Sequence, residues 1–312
     1  FFQAEDGIRD FCLSRGLGDV YKRQVDIIIP VYSGLAEVRA CLESLLSSSS
    51  ESQGEVIVIN DCSPEPAIEA LLRGLERESR ITLLQNDENL GFVKSCNRAA
   101  ALRPDNDFIL LNADTEVHGN WLDRMVAHAA IASDVASITP FSNNATIASY
   151  PREGARRETP ADIRVAQIDE AMSSANAGES VPLPTAVGFC MWVSRAAWHE
   201  VGGFDERFGR GYGEEVEFCM ATAGNGWRHL LACDVFVYHA GGTSFGYESE
   251  QLKAKAQQII DDRYPQFPDL VQGWIREDPA LDARVRCDVQ LLGLTDAPRI
   301  LHVTHNLSLI HI

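Results

Sequence analysis

No CxxC pair and no zinc-finger spacing joins the eight cysteines (Cys12, Cys41, Cys62, Cys96, Cys190, Cys219, Cys233 and Cys287). A structural zinc site and a disulfide scaffold are therefore excluded, and the thiols read as mostly reduced and buried, as in a cytoplasmic protein. No apolar run approaches the roughly 20 residues that span a bilayer, so the expectation is a soluble chain, at most peripheral at the inner face of a membrane. Positive charge is also scarce. Lys and Arg number 27 against 45 Asp and Glu, a formal charge of -18, and without a positive field nucleic acid is excluded as a partner. A phosphate-bearing ligand would then need a local neutraliser such as a metal ion. There is no P-loop and no internal repeat. What remains is an ordinary globular composition, long enough for one large α/β domain or two small ones.

Strand and helix signals alternate from Val25 onward. VDIIIPV (Val25–Val31) reads as a buried strand with Pro30 at its end, where no ladder donor is missed. Leu35, Val38, Leu42, Leu45 and Leu46 repeat at helical spacing, and EVIVI (Glu55–Ile59) is a second strand. Ser63 before Pro64 predicts a helix N-cap there. A third strand, Ile81–Leu84, leads through the polar Asn86–Gly91 loop into a helix over Phe92–Leu102. Strands alternating with helices of about a dozen residues specify a doubly wound α/β sheet, whose ligands bind beyond the carboxyl ends of the strands. Tyr32, Asp61, Asn86, Asn89 and Asp114 all stand at such ends.

FILLNADTEV (Phe108–Val117) is the most informative stretch. A four-residue buried strand, Phe108 to Leu111, turns abruptly into Asn112, Asp114, Thr115 and Glu116. Strand-end carboxylates suit a hard cation, which takes oxygen ligands and keeps positions open for water and phosphate. On its own residues the stretch is equally an ordinary βα turn with a local Asn112 or Asp114 side-chain bond. Further on, Trp121–Ile131 reads as a helix and Val135–Thr139 as a strand. Phe141–Pro184 carries a weak, irregular signal with one helix at Ile163–Met172. Ala186–Val193 restores a strand, Arg195–Val201 is a short helix, and Glu214–Ala223 is a helix opening with acids. Arg228–Tyr238 is a strand ending at His239, and Glu248–Arg263 and Pro268–Arg276 are surface helices. Trp192, Trp198 and Phe204 read as core.

The order and spacing of VDIIIPVY, VINDCSP, NDENLGFVKSCNRA, FILLNADTEV, AVGFCMWVSRAAWHEVGGFDERF, GYGEEVEFC and VYHAGGTSF resemble family 2 glycosyltransferases of the GT-A fold over residues 25–246. The resemblance implies a Rossmann-like, doubly wound mixed sheet with helices on both faces. It also implies an inverting, metal-dependent transferase that takes a sugar from a UDP- or dTDP-sugar to a glycan or lipid-linked acceptor in cell-surface polysaccharide synthesis. A bacterial source goes with it. Asp114 would ligate a divalent metal, Mn²⁺ or Mg²⁺, that bridges the donor diphosphate. Asn112 stands where many relatives have an acid, so its role stays open between ribose and water-mediated metal contact, and Glu116 is a further metal candidate. His239 matches a histidine that relatives use as a ligand, although a lone strand-end histidine is equally a hydrogen-bonded one.

By the same resemblance Pro30, Tyr32 and Asp61 hold base and ribose, Asp61 accepting from a uracil or thymine imide, and Asn89 and Gly91 line the nucleotide site. Glu215 is the general base and Glu214 the alternative, since transfer with inversion needs a carboxylate to take the acceptor hydroxyl proton. Acids at a helix N-terminus also simply complement its dipole. The glycine-flanked run Gly209–Gly213 suits a loop that closes over the donor. A sugar nucleotidyltransferase and a catalytically silent sugar-nucleotide-binding module are the rival readings. The first lacks its Gly-rich basic loop here, and the acidic pair argues against the second. Residues 247–292 read as a helical extension and linker. APRILHVTHN (Ala297–Asn306) resembles the first strand of a family 4, GT-B glycosyltransferase, implying a fused second domain that starts within 293–307. Residues 1–24 and 308–312 resemble translated sequencing adapter of the kind found in metagenomic gene predictions and are set aside.

Overall fold

The structure, a computed structural model, describes residues 24–151, 164–241 and 248–294. The adapter-like stretch before residue 24, the Gly242–Ser244 turn, and the family 4-like and adapter-like residues from 295 onward lie outside them.

The sheet is built from β1 (Val25–Val31), β2 (Gln53–Asn60), β3 (Thr82–Gln85), β4 (Phe108–Leu111), β6 (Val135–Phe141), β7 (Ser180–Leu183), β8 (Cys190–Val193) and β9 (Arg228–Phe236). Their order is β3-β2-β1-β4-β8-β6-β9-β7. The β1, β2, β3 and β4 strands run parallel, as do β6 and β9, while β8 is antiparallel to both β4 and β6 and β7 is antiparallel to β9. The expected mixed, doubly wound sheet is what forms. A second, two-stranded sheet pairs β5 (Thr115–Glu116) with β10 (Tyr238–His239), antiparallel, with His239 opposite Thr115. No period announces two strands of two residues each: β5 was missed in the sequence, as was β7, and β10 was read as the end of the strand that begins at Arg228.

Alternation along the strands sends side chains to two cores. Ile27, Ile29 and Val31 of β1 pack with Ile109, Trp121 and Phe141. On that side pack α1 (Leu35–Ser47), α2 (Pro66–Arg77), α4 (Trp121–Ala129) and α5 (Val165–Ala175), joined by Trp274, Cys287 and Leu291 from nearer the C-terminus. Ile28, Phe108 and Leu110 face the other way, onto α3 (Phe92–Ala100), α6 (Arg195–Val201), α7 (Glu214–Gly224) and α8 (Glu248–Arg263). Trp198 meets both Phe108 and Phe204 edge-on at 5.0 Å, so the tryptophan and phenylalanine expected in the core are there.

Three local expectations are corrected. The second helix begins at Pro66 after Glu65, not after Ser63. Glu65 precedes a proline and is confined to extended backbone, so no helix can start earlier. The Ser63 amide instead donates to Asn60 Oδ1, and its hydroxyl accepts from the Glu65 amide. Where a linker was expected, α9 (Phe267–Glu277) is followed by α10 (Leu281–Leu294), whose Ala283, Cys287 and Leu291 are buried. Residues 293 and 294, expected to open a second domain, end that helix. Among the described cysteines Cys62 is exposed and the other six are buried. No helix among the described residues is long and apolar enough to cross a membrane.

Arg195 ties α6 to the chain entering β4. Its guanidinium donates to the carbonyls of Asn106, Ala100 and Arg103 at 2.7, 3.2 and 3.0 Å and lies 4.5 Å from the Phe108 ring centroid. An Arg195→Met substitution should leave those carbonyls without this donor and cost about 3 kcal/mol in chemical denaturation. A loss below about 0.5 kcal/mol would show that water replaces the guanidinium there.

Candidate active site

The carboxyl ends of β4 and β8 generate one side of the site. Their antiparallel ladder closes with Leu111 opposite Cys190, and the next amide, Asn112, donates to the Phe189 carbonyl at 2.8 Å. The chain then turns. Thr115 Oγ1 donates back to the Asn112 carbonyl at 2.7 Å, and the short β5–β10 pairing brings Asp114 to His239. Asp114 Oδ1 lies 3.4 Å from His239 Nε2, Asp114 Oδ2 accepts from the Gly241 amide at 3.1 Å, and the Ala240 amide donates to the Asp114 carbonyl at 3.0 Å.

His239 is fixed on several sides. Its Nδ1 is 2.8 Å from the Asn144 carbonyl, its backbone amide donates to Asn143 Oδ1 at 2.8 Å, and Asn143 Nδ2 donates to its carbonyl at 3.0 Å. The Phe189 ring stacks on the imidazole with centroids 5.3 Å apart. A carbonyl can only accept, so Nδ1 carries a proton. In the neutral ring Nε2 then turns a lone pair toward the Asp114 carboxylate, and two acceptors facing each other need a proton or a cation between them. A histidine whose other nitrogen is held by a carbonyl is the usual arrangement of a metal-ligating imidazole. The donor set thus fits a divalent metal. Burial acts to raise the Asp114 pKa, but with the ring protonated at both nitrogens its hydrogen bond and charge, with the Gly241 amide, outweigh it, and the carboxyl is held below its ordinary value.

Glu116 stands opposite Tyr238 in the β5–β10 pair. It does not complete a trio with Asp114 and His239, because no group of three His, Cys, Asp or Glu side chains converges among the described residues. Two protein ligands are in keeping with a cation that completes its shell with water and substrate phosphates. Asn143, Asn144 and Phe189 were not singled out in the sequence. The signal available for the asparagines was their place just beyond the carboxyl end of β6, the rule that had picked out Asp61 and Asn86.

The second side is the N-terminus of α7. Glu214 is 5% exposed, and one carboxylate oxygen of Glu214 and one of Glu215 are buried with no hydrogen-bond partner. Burial raises Glu214 well above the usual carboxylate range, and the adjacent Glu215 charge adds to it. Burial also raises Glu215, against the opposing pull of the first-turn amides. A Cβ built on Gly188 would lie 3.9 Å from the Glu215 carboxyl carbon. Gly188 directly precedes Phe189, whose ring stacks on His239, so Glu215 and the Asp114–His239 pair both adjoin one short segment.

The nucleotide-side candidates gather separately around Asp61, which is 5% exposed. Its Oδ1 accepts from Asn86 Nδ2 at 2.7 Å and from the Leu90 amide at 2.8 Å, and its Oδ2 accepts from the Gly91 amide at 2.8 Å. Asn89 Oδ1 also accepts from the Gly91 amide at 3.1 Å. Asp61 is therefore first the anchor of the 86–91 loop, with one Oδ2 lone pair left over. Pro30 pairs with Ile59 inside the sheet, and Tyr32 just beyond it is 38% exposed.

Comparison with known proteins bears on this arrangement. An uncharacterised glycosyltransferase of Haemophilus influenzae is 26% identical over 104 residues, which are 33% of this chain and 32% of that protein. The glycosyltransferase AglE of Haloferax volcanii is 24% identical over 216 residues, 69% of this chain and 66% of its own length. The chain thus spans about a third and just under two thirds of these relatives. Among solved structures, GalNAc-T7 with UDP, GalNAc and Mn²⁺ superposes with a TM-score of 0.61 at 14% identity, covering 86% of this chain and 54% of that one, a likeness of GT-A fold. The family model described as glycosyl transferase family 2 matches residues 26–202, from the first strand through the Asp114 turn and Gly188 to the end of α6. More than half of the sequence lies in that match, and the chain belongs to glycosyl transferase family 2.

Proposed function

We propose that this chain is an inverting, metal-dependent glycosyltransferase that moves a sugar from a UDP- or dTDP-linked donor to a glycan or lipid-linked acceptor in cell-surface polysaccharide synthesis. The observation that carries the reading is that unlike carboxylates gather at the 188–189 segment. Asp114 is held ionised beside His239, and Glu215 is half-buried, with one buried, unpartnered oxygen and a raised pKa. Carboxylates pushed apart in pKa by their surroundings are suited to different tasks.

Asp114 and His239 would hold the cation, which when bound neutralises charge on the departing diphosphate. Mn²⁺ in the GalNAc-T7 complex supports a divalent metal, and UDP in the same complex supports a uridine donor. The free Oδ2 lone pair of Asp61 suits an imide N–H of uracil or thymine. Glu215 takes the proton of the acceptor hydroxyl as that oxygen bonds to the anomeric carbon. The bond from that carbon to the diphosphate oxygen breaks on the opposite face, so configuration inverts and the nucleoside diphosphate leaves with the electron pair. The raised pKa makes Glu215 a stronger base than an exposed glutamate.

Glu215→Gln should lower kcat at least about 10²-fold while leaving calorimetric binding of UDP with Mn²⁺ intact. Full transfer by a folded Glu215→Gln protein would rule out this base. Asp114→Ala should abolish transfer and remove the Mn²⁺ dependence of UDP binding, and unchanged Mn²⁺ dependence would exclude Asp114 as a ligand.

Glu214 gives a separate stability prediction. Its native pKa lies above the unfolded value of about 4.5, so the folded chain holds this proton more tightly. Stability from this group is complete below the unfolded pKa and declines as pH rises through the native one. Glu214→Gln removes the decline, so its gain in Tm over the parent should be larger at pH 8 than at pH 4. An equal difference at both pH values would contradict the burial of a costly charge.

A further inference from the structure

We propose that Gly91 is a positioning residue for Glu215, acting through Arg210: the backbone contact between them ties the nucleotide-side loop to the loop that carries the base. This rests on the assignment of Glu215 above.

Gly91 has φ +82, and a Cβ built on it would lie 2.7 Å from Arg210 Cα, 3.0 Å from Arg210 Cγ and 3.2 Å from Arg210 Cβ. The 2.7 Å contact is to backbone, so no rotamer change relieves it. The next amide, Phe92, donates to the Arg210 carbonyl at 3.3 Å, and a Cβ on Gly211 would lie 3.5 Å from Phe92 Cβ. Two segments more than a hundred residues apart in sequence therefore run in direct backbone contact, and only glycine at position 91 permits it.

Each side of the contact leads to one half of the chemistry. On the nucleotide side, the Gly91 amide is held by Asp61 Oδ2 at 2.8 Å. On the base side, Gly211, Tyr212 and Gly213 follow Arg210 with φ of 131, 74 and 88, and Gly213 caps α7 immediately before Glu214 and Glu215. The far end of this run is also confined. A Cβ on Gly213 would meet Phe208 Cε1 at 3.0 Å and Ala256 Cβ at 3.3 Å. A push at Arg210 that is not taken up at Gly209, whose built Cβ meets nothing within 4 Å, passes through the confined Gly213 to the first turn of α7 and the Glu215 carboxyl. Small displacements of a catalytic group are costly, because proton transfer depends on its distance from the acceptor oxygen.

The test compares Gly91→Ala with Gly226→Ala in the full chain. Gly226 also has a positive φ, +91, and nothing within 4 Å of its built Cβ, so it reports the loss of a positive-φ glycine without the contact. Both variants should lose thermal stability. Only Gly91→Ala should lower kcat, by about tenfold or more, with the acid limb of kcat against pH displaced, whatever change in donor KM accompanies it. Turnover is followed as nucleoside diphosphate released from a panel of UDP- and dTDP-hexoses. A raised donor KM at unchanged kcat would make Gly91 a wall of the nucleotide site and overturn the proposal, as would a kcat equal to that of Gly226→Ala. If Gly91→Ala does not fold, Arg210→Ala and Arg210→Gly replace it. Alanine keeps the Cβ that packs on Gly91 and glycine lacks it, so Arg210→Gly should turn over at least about threefold more slowly than Arg210→Ala at equal donor KM. Equal rates would overturn the coupling. An active Glu215→Gln removes the base assignment itself, whereas an inactive Glu215→Gln with Gly91→Ala matching Gly226→Ala removes only the coupling.

Discussion

The hydrogen bond from the Asn112 amide to the Phe189 carbonyl, at 2.8 Å, is the constraint on which the site depends. It extends the β4–β8 ladder one step past the strands and fixes where both chains leave the sheet. On one side the exit delivers Asp114 to His239. On the other it sets the Phe189 ring on the imidazole and leaves Gly188 beside Glu215. Because β8 runs antiparallel to β4, its start lies at the carboxyl end of β4, the end at which ligands bind in such sheets.

Burial acts in the same direction on Asp114 and on the Glu214–Glu215 pair, yet the outcomes differ. Asp114 has an imidazole and a backbone amide to stabilise its charge, and its pKa falls. The glutamates have one another and the α7 amides, with an oxygen of each left unpartnered, and their pKa values rise. The α7 dipole opposes that rise but contributes only about 0.3–1 kcal/mol at a helix end, less than the cost of burying a carboxylate. Stability is therefore spent where a proton acceptor is useful.

Much of the fold was legible because it follows from period and punctuation. Val25–Val31, Phe108–Leu111, Arg195–Val201 and Glu248–Arg263 have in the structure the bounds read from sequence, and most other helices and strands differ by a few residues at an end. The misses share a cause. The β5 strand is too short to show a period, β7 contains Pro182, and α10 was taken for linker because its apolar residues are split between a buried and an exposed face. Leu281, Val285, Val289 and Leu292 are about half exposed or more, while Ala283, Cys287 and Leu291 are buried. Within the site, Asp61, Asn89, Gly91, Asp114, Glu215 and His239 were candidates from the start. Asn143, Asn144 and Phe189 were not, because their part is to orient His239, and orientation leaves no mark in local composition.

By itself the sequence determined the alternating α/β architecture, the placing of polar residues at strand ends, and the acidic pair at the start of a helix, since each follows from spacing along one segment. Only the tertiary structure decided which of these residues meet. Asp114 and His239 are 125 positions apart and are joined through a pair of two-residue strands, in which Glu116 pairs with Tyr238. Gly91 and Arg210 touch through backbone, where side-chain identity carries no signal except the absence of a Cβ. Contacts of that kind depend on register and crossover, which belong to the sheet as a whole rather than to any stretch of chain.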